Sequence, residues 1–203
     1  SGKPRIAALK LIKPEQGSLN RDVLWTEAKA LSLCAHSAIP RWLGIVRERE
    51  DARNRGRCFI VQSLMPGIPL DHLLFRQRRS FDDAAIASIG RQVIDALAHL
   101  ECRGVAHGDV RPANLLIDDE GTASLVDFGL AGFFDRNAAS PAATATDRAG
   151  LADVLLFLLY ANPAVQRRGG SAKLPWFDDL DLPAAQRSLL LDLFSDEPAL
   201  HGF

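Results

Sequence analysis

Between His107 and Gly129 the chain sets three oxygen-bearing side chains, Asp109, Asn114 and Asp127, into two short motifs, and no other segment narrows its fold as much. The first motif is His107-Gly108-Asp109-Val110-Arg111-Pro112-Ala113-Asn114-Leu115-Leu116. The second, Asp127-Phe128-Gly129, begins thirteen residues past the asparagine. This order and spacing is that of a phosphoryl-transfer site. One acid can orient a hydroxyl nucleophile, while an amide and a second acid can hold Mg²⁺ between nucleotide phosphates. A lone Asp-Phe-Gly carries little weight; two motifs flanking a short apolar strand carry much more.

The surrounding sequence divides into elements. Arg5 to Lys13 predicts a strand, with Ile6, Ala8 and Lys10 alternating with Ala7, Leu9 and Leu11, and Pro14 ending it. Ser18 or Asn20 can cap a helix to about Cys34, with Val23, Leu24, Ala28, Leu31 and Leu33 at helical spacing. Strands are expected near Leu43–Arg49 and Arg57–Ser63, on either side of a polar turn, and Met65-Pro66-Gly67 reads as a connector. Ser80 with Asp83 forms a capping-box pattern ahead of a helix bearing Ile86, Ile89, Val93, Leu97 and Leu100 on one face. Arg103-Gly104 ends that helix. Leu115 to Ile117 and Ala123 to Val126 suit two short strands. After Phe134 an Ala/Ser/Thr-rich segment to Thr146 reads as a mobile loop. Asp147 then opens an apolar helix to Tyr160, and Pro183 to Phe194 predicts an amphipathic one.

Composition sets the outer bounds. A chain of 203 residues, 47% hydrophobic, can bury one good-sized core or two small lobes sharing a cleft. A net charge of −1 gives no overall footprint for nucleic acid or an anionic membrane. The basic run from Arg47 to Arg57 is interrupted by Glu48, Glu50 and Asp51 and reads as a solvated hairpin tip. Cys34, Cys58 and Cys102 are odd in number and widely spaced, which fits reduced thiols in a cytoplasmic protein better than disulfides or zinc. No secretory signal is visible, and the longest apolar run, Val154 to Ala161, is too short to span a bilayer.

Taken together, the motifs resemble the protein-kinase superfamily. Ala7-Ala8-Leu9-Lys10 looks like the family's Val-Ala-Ile-Lys strand, and Thr26-Glu27-Ala28-Lys29 resembles the helix whose acid pairs with that lysine. The resemblance implies an α+β, two-lobed fold, with a truncated small lobe (1–64) of sheet plus one helix and a reduced, mainly helical large lobe (65–203). It implies ATP and Mg²⁺ as cofactors, with Asp109 as the catalytic base that orients the hydroxyl and Lys10 reaching the phosphates. Arg111 stands where the family usually has a lysine, which exchanges a point charge for a planar fork. Asn114 and Asp127 become the metal ligands. Ala8 and Leu116 would sandwich the adenine, Ser63 and Met65 would present backbone groups to its edge, and Gln62 would take the gatekeeper position. His107, Phe128 and Leu31 resemble the packed spine beneath the site. Asp147 resembles the aspartate that holds the catalytic-loop backbone.

Two pieces of the family pattern are missing, and one residue of the catalytic loop is exchanged. No Gly-x-Gly-x-x-Gly loop precedes Lys10; the chain starts where a second strand would be ending, as a fragment would. Only nineteen residues, Phe128 to Thr146, separate the second motif from Asp147, and no Ala-Pro-Glu sequence lies among them. Gly108 replaces the arginine that usually receives an activation-loop phosphate, which argues against that mode of switching. Thr144 or Thr146 could contact the catalytic acid, be autophosphorylated, or sit in a plain loop. The expected activity is ATP-dependent phosphoryl transfer to Ser or Thr of a protein substrate. Two alternatives stay open: a pseudokinase that binds a partner protein, and a small-molecule phosphotransferase of the antibiotic-modifying type, which shares His-Gly-Asp. The motif style is that of compact bacterial kinases, including secreted effectors.

Overall fold

In the computed structural model, residues 6–12, 19–48, 57–135, 141–168 and 175–194 are described. The expected Ser18 cap, the terminating Pro14 and most of the polar hairpin tip lie outside them. The alternating segment forms β1 (Ala7–Ile12), and the periodic one after it forms α1 (Leu19–Leu33). β2 (Trp42–Arg47) and β3 (Cys58–Ser63) complete an antiparallel sheet in the order β1-β3-β2. The register sets Ala8 opposite Gln62 and Lys10 opposite Ile60. Because side chains alternate along a strand, Ala8, Lys10, Ile60 and Gln62 share one face, and Leu9, Leu11, Phe59 and Val61 share the other. α1 buries Glu27, Ala30 and Leu31 at three- and four-residue steps, with Cys34 buried just past its end, and turns Trp25 and Leu33 outward.

After β3 the chain makes a short strand, β4 (Ile68–Pro69), and a five-residue π-helical turn at His72–Arg76. α2 (Asp83–Cys102) follows. Its cap is not Ser80. Asp82, in extended backbone, accepts the Ala85 N–H at 2.8 Å. Placing Asp82 and Asp83 at the positive end of the helix also suits its dipole. Ile86, Ile89, Val93, Ala96 and Leu100 form the buried stripe of α2.

The motif region is built from small pieces. β5 (Val105–Ala106), a 3₁₀ turn at Pro112–Asn114, β6 (Leu115–Ile117), β7 (Ala123–Leu125) and β8 (Gly132–Phe133) form two minor sheets, ordered β4-β6-β7 and β5-β8. α3 (Pro141–Ala161) is next, then one turn of helix, α4 (Trp176–Asp179), and α5 (Ala184–Phe194). α3 corrects the expectation of a loop up to Thr146: the helix already runs from Pro141, and Thr144, Thr146 and Asp147 all lie within it. Proline is well suited to a first helical position, and two alanines follow it, so the segment carried a helix start that its bland composition obscured.

One apolar core joins α1, α2, α3, α5 and the minor sheets. Leu31, Leu100, Leu115, Leu125, Phe128, Leu151 and Leu158 are all essentially inaccessible. Each such side chain contributes about 1.5–3 kcal/mol through burial. At Gly150, α3 passes so close to the Val110 carbonyl that a Cβ would overlap it. The observed architecture is the expected α+β arrangement. No helix among the described residues is long and apolar enough to cross a membrane.

Candidate active site

The loop after β5 is fixed from below by α3. Asp147, buried, accepts the His107 N–H at 2.6 Å through one carboxylate oxygen and the Gly108 N–H at 2.7 Å through the other. Burial pushes its pKa up to about 6, with the two N–H groups acting in the opposite direction. The His107 ring is buried as well. Its Nε2–H donates to the Val126 carbonyl at 3.1 Å and its Nδ1 accepts the Asp109 N–H at 3.2 Å, so the neutral tautomer satisfies both partners. Burial lowers this histidine to about 4. The Phe128 ring meets it edge-on at 4.7 Å between centroids. A single imidazole therefore ties the turn that begins Asp109 to the strand end that precedes Asp127.

Asp109 and Asn114 face each other across that turn. The Asn114 Nδ2 donates to the Asp109 carbonyl at 2.9 Å and to its Oδ2 at 2.7 Å. With the amide nitrogen so engaged, the side-chain carbonyl of Asn114 points away from Asp109. Arg111 Nε lies 3.3 Å from the same Asp109 oxygen, and its side chain is largely exposed. The 3₁₀ turn at Pro112–Asn114 produces this geometry, because proline supplies the helical φ at its start.

β1 and α1 bring the other charges. Lys10 Nζ donates to Glu27 Oε2 at 2.8 Å and to Asp127 Oδ1 at 2.6 Å. Burial works against the Lys10 charge, but the bonds and charges of Asp127 and Glu27 outweigh it and hold its pKa above the ordinary lysine value. Glu27 is almost fully buried, and burial raises its carboxyl against the pull of Lys10. Among the described residues its Oε1 meets no hydrogen-bond partner of good geometry, although the Phe128 N–H also favours the charged form of the carboxylate. At Asp127 the balance falls the other way: Lys10 and the Gly129 N–H overcome partial burial and lower the pKa. Half of the Asp127 side chain remains exposed. Its backbone φ is +68°, a left-handed conformation that aspartate tolerates better than most residues.

Gly108 has a φ of +80°, and a Cβ there would run into the Leu130 carbonyl. At the other sequence-selected positions, Ala8 and Gln62 share the Lys10 face of the sheet. Ser63 is held by Arg41, its N–H donating to the Arg41 carbonyl at 2.9 Å and its Oγ accepting the Arg41 N–H at 2.8 Å. Leu116, half-buried on β6, pairs with Pro69 just past Met65 and Gly67. The sequence reading missed two ties. Asp127 is a second partner of Lys10, and Lys29 on α1 stands 3.8 Å over the Phe133 ring of β8. Neither has a local signature, since each joins segments about a hundred residues apart.

A family model described as "Protein kinase domain" matches residues 1–150. The chain belongs to the protein kinase family. Among curated relatives, CBL-interacting protein kinase 4 of Oryza sativa subsp. japonica is 37% identical over 92 residues, 45% of this chain and 20% of that protein. Maternal embryonic leucine zipper kinase of Xenopus tropicalis is 31% identical over 126 residues, 61% of this chain and 18% of that protein. Mitogen-activated protein kinase kinase 10 of Arabidopsis thaliana is 30% identical over 122 residues, 60% of this chain and 36% of that protein. The matches thus take in only 18–36% of the length of these relatives. They come from plants and a frog, and none bears on the bacterial style read from the motifs.

Proposed function

We propose that this kinase-family chain transfers a phosphoryl group from ATP to Ser or Thr hydroxyls of a protein, in a cleft between a small lobe ending at Leu64 and a large lobe beginning at Met65. The observation that carries this reading is the cluster in which Lys10 joins Glu27 to Asp127, beside the bonded pair Asp109 and Asn114. The donor set fits magnesium: Asp127 offers a half-exposed carboxylate and Asn114 an amide carbonyl, hard oxygens for a hard cation. Bound Mg²⁺ would neutralise charge on the phosphate oxygens. Lys10, held by Glu27, would bind and orient the phosphates. Asp109 would orient the substrate hydroxyl and take its proton, with the Arg111 cation close by. Ala8 and Leu116 would enclose the base, and backbone groups of Ser63 and Met65 would meet its edge.

Positioning and charge, rather than covalent chemistry, would carry the catalysis. The test begins with calorimetric titration of ATP, with and without Mg²⁺, against the wild type and Asp127→Ala. Mg²⁺-dependent binding, lost in the variant, is expected. Turnover on a generic Ser/Thr protein substrate should then fall by at least about a thousandfold in Asp109→Ala while ATP binding persists. Binding without turnover in the wild type would favour a partner-binding pseudokinase, and turnover on aminoglycosides alone would favour small-molecule transfer. No nucleotide binding at all would overturn the proposal.

A further inference from the structure

α1 presents Glu27 to Lys10 at one point of its length, and its C-terminal end is fastened by the loop that follows. The Ala35 N–H donates to His99 Nε2 on α2 at 3.2 Å. His36 Nδ1 accepts the Ala38 N–H at 3.1 Å, and its Nε2 lies 3.0 Å from Asp95 Oδ2, also on α2. The Ala38 carbonyl accepts the Leu125 N–H at 2.8 Å, two residues before Asp127. One short loop thus links the helix carrying Glu27, the long helix α2 and the strand that leads to Asp127.

These bonds fix the protons on both rings. His36 accepts through Nδ1, so its own proton sits on Nε2 and faces Asp95. His99 accepts through Nε2, so its proton sits on Nδ1. A second proton on His99 would remove the lone pair that holds Ala35. The groups around it are Cys34 and His36 from the loop, with Asp95 and, just past the helix end, Arg103 from α2. β7 contributes backbone to the loop and no charged side chain. The Cys34 thiol, raised to about 11 by burial, stays uncharged. The two imidazole rings lie 5.2 Å apart between centroids. Burial, then His36 and Arg103, depress the pKa of His99, against Asp95 alone.

We propose that His99 is a positioning residue for α1 that acts only in its neutral form, so that acidification releases the end of the helix bearing Glu27. The sign follows from linkage. A histidine whose folded pKa is depressed contributes fully above its ordinary value of about 6.5, and the contribution is lost as pH falls below that. The inference does not depend on what the cleft binds.

The test is amide hydrogen exchange, followed by NMR on the whole chain from pH 7.5 to 5, in the wild type, His99→Gln and His99→Phe. Glutamine can accept the same bond without titrating; phenylalanine cannot accept it. Protection at Ala35, measured against Leu158 in the core of α3, should fall about fivefold or more on acidification in the wild type, as loss of one hydrogen bond implies. The amides of Glu27 to Leu31 should follow. His99→Gln should remain flat, and His99→Phe should be weakly protected throughout. A wild type without pH dependence, or a His99→Gln trend equal to that of the wild type, would overturn the proposal. If His99→Phe fails to fold, the glutamine variant decides the matter alone, because a merely structural histidine would give both proteins the same pH profile.

Discussion

The β1-β3-β2 sheet and the helical core beneath it are built on different terms. In the core, side chains from four helices and the minor sheets close on one another with almost no exposed surface. In the sheet, Ile60 alone among the described strand residues is fully buried, and the face opposite Lys10 carries Leu9 at 62% and Val46 at 50% exposure. Asp109 and Asn114 therefore rest on packed hydrocarbon, through His107 and Asp147. Lys10 rests on a thin sheet and is held in register by two ion pairs. Close packing is concentrated beneath Asp109 and Asn114. The lysine end of the cluster depends on charges, which a ligand can redistribute.

That contrast can be broken most directly by truncation. Leu158→Ala should cost about 2–5 kcal/mol, whereas Leu9→Ala should stay within about 0.5 kcal/mol, both read from urea denaturation. Equal losses would mean that the sheet is packed as firmly as the core. The next effect is a hidden pH dependence beneath the catalytic loop. His107 is depressed to about 4, so its contribution is complete above about 6.5 and is lost as pH falls. Asp147 is raised to about 6, so its charge burdens the fold above that pH, and the burden lifts as pH falls towards the ordinary aspartate value. Each contribution is worth about 3 kcal/mol, and the signs are opposite. Between pH 6.5 and 4, His107→Phe should therefore gain stability relative to wild type and Asp147→Asn should lose it, as judged by urea midpoints across the range. The smallest effect belongs to the sheet side. Lys10→Met should cost about 1–2 kcal/mol, much of it from stranding the buried Glu27, with a discount for the exposure of the lysine. The double variant with Glu27→Gln should recover most of that loss; an unchanged loss would mean that Glu27 does not need its partner.

How far the fold was legible depended on whether the signal was local. The alternation in β1 and the apolar stripes of α1 and α2 are properties of short windows, and those elements lie where the periodicity put them, within a few residues. α3 was half read because Pro141-Ala142-Ala143 was weighed as composition rather than as a proline at a helix start. The cap of α2 was misplaced by two residues because Ser80 and Asp83 formed a pattern, while Asp82 had the extended backbone that capping needs. Two-residue strands such as β4, β5 and β8 leave no periodicity to detect. In the site, the motif residues could be named from spacing, and Lys10, Glu27, Asp109, Asn114 and Asp127 do converge in two bonded groups. The reach of Lys10 to Asp127 and the His36–His99 fastening could not be seen, because they join distant segments without any pattern in either.

Gly108 bears on how this protein could be altered. Its backbone turns left-handed against the Leu130 carbonyl, in the space a side chain would need. The arginine that the family resemblance would place there is thus barred by geometry as well as missing. Writing Gly108→Arg into the gene would not install a receptor for a phosphate, since the new side chain would have to displace the segment after Asp-Phe-Gly. The two loops behave as interlocking pieces: neither can take on the more usual form unless the other is recut with it, and a regulatory scheme built on that arginine is two coordinated changes away rather than one.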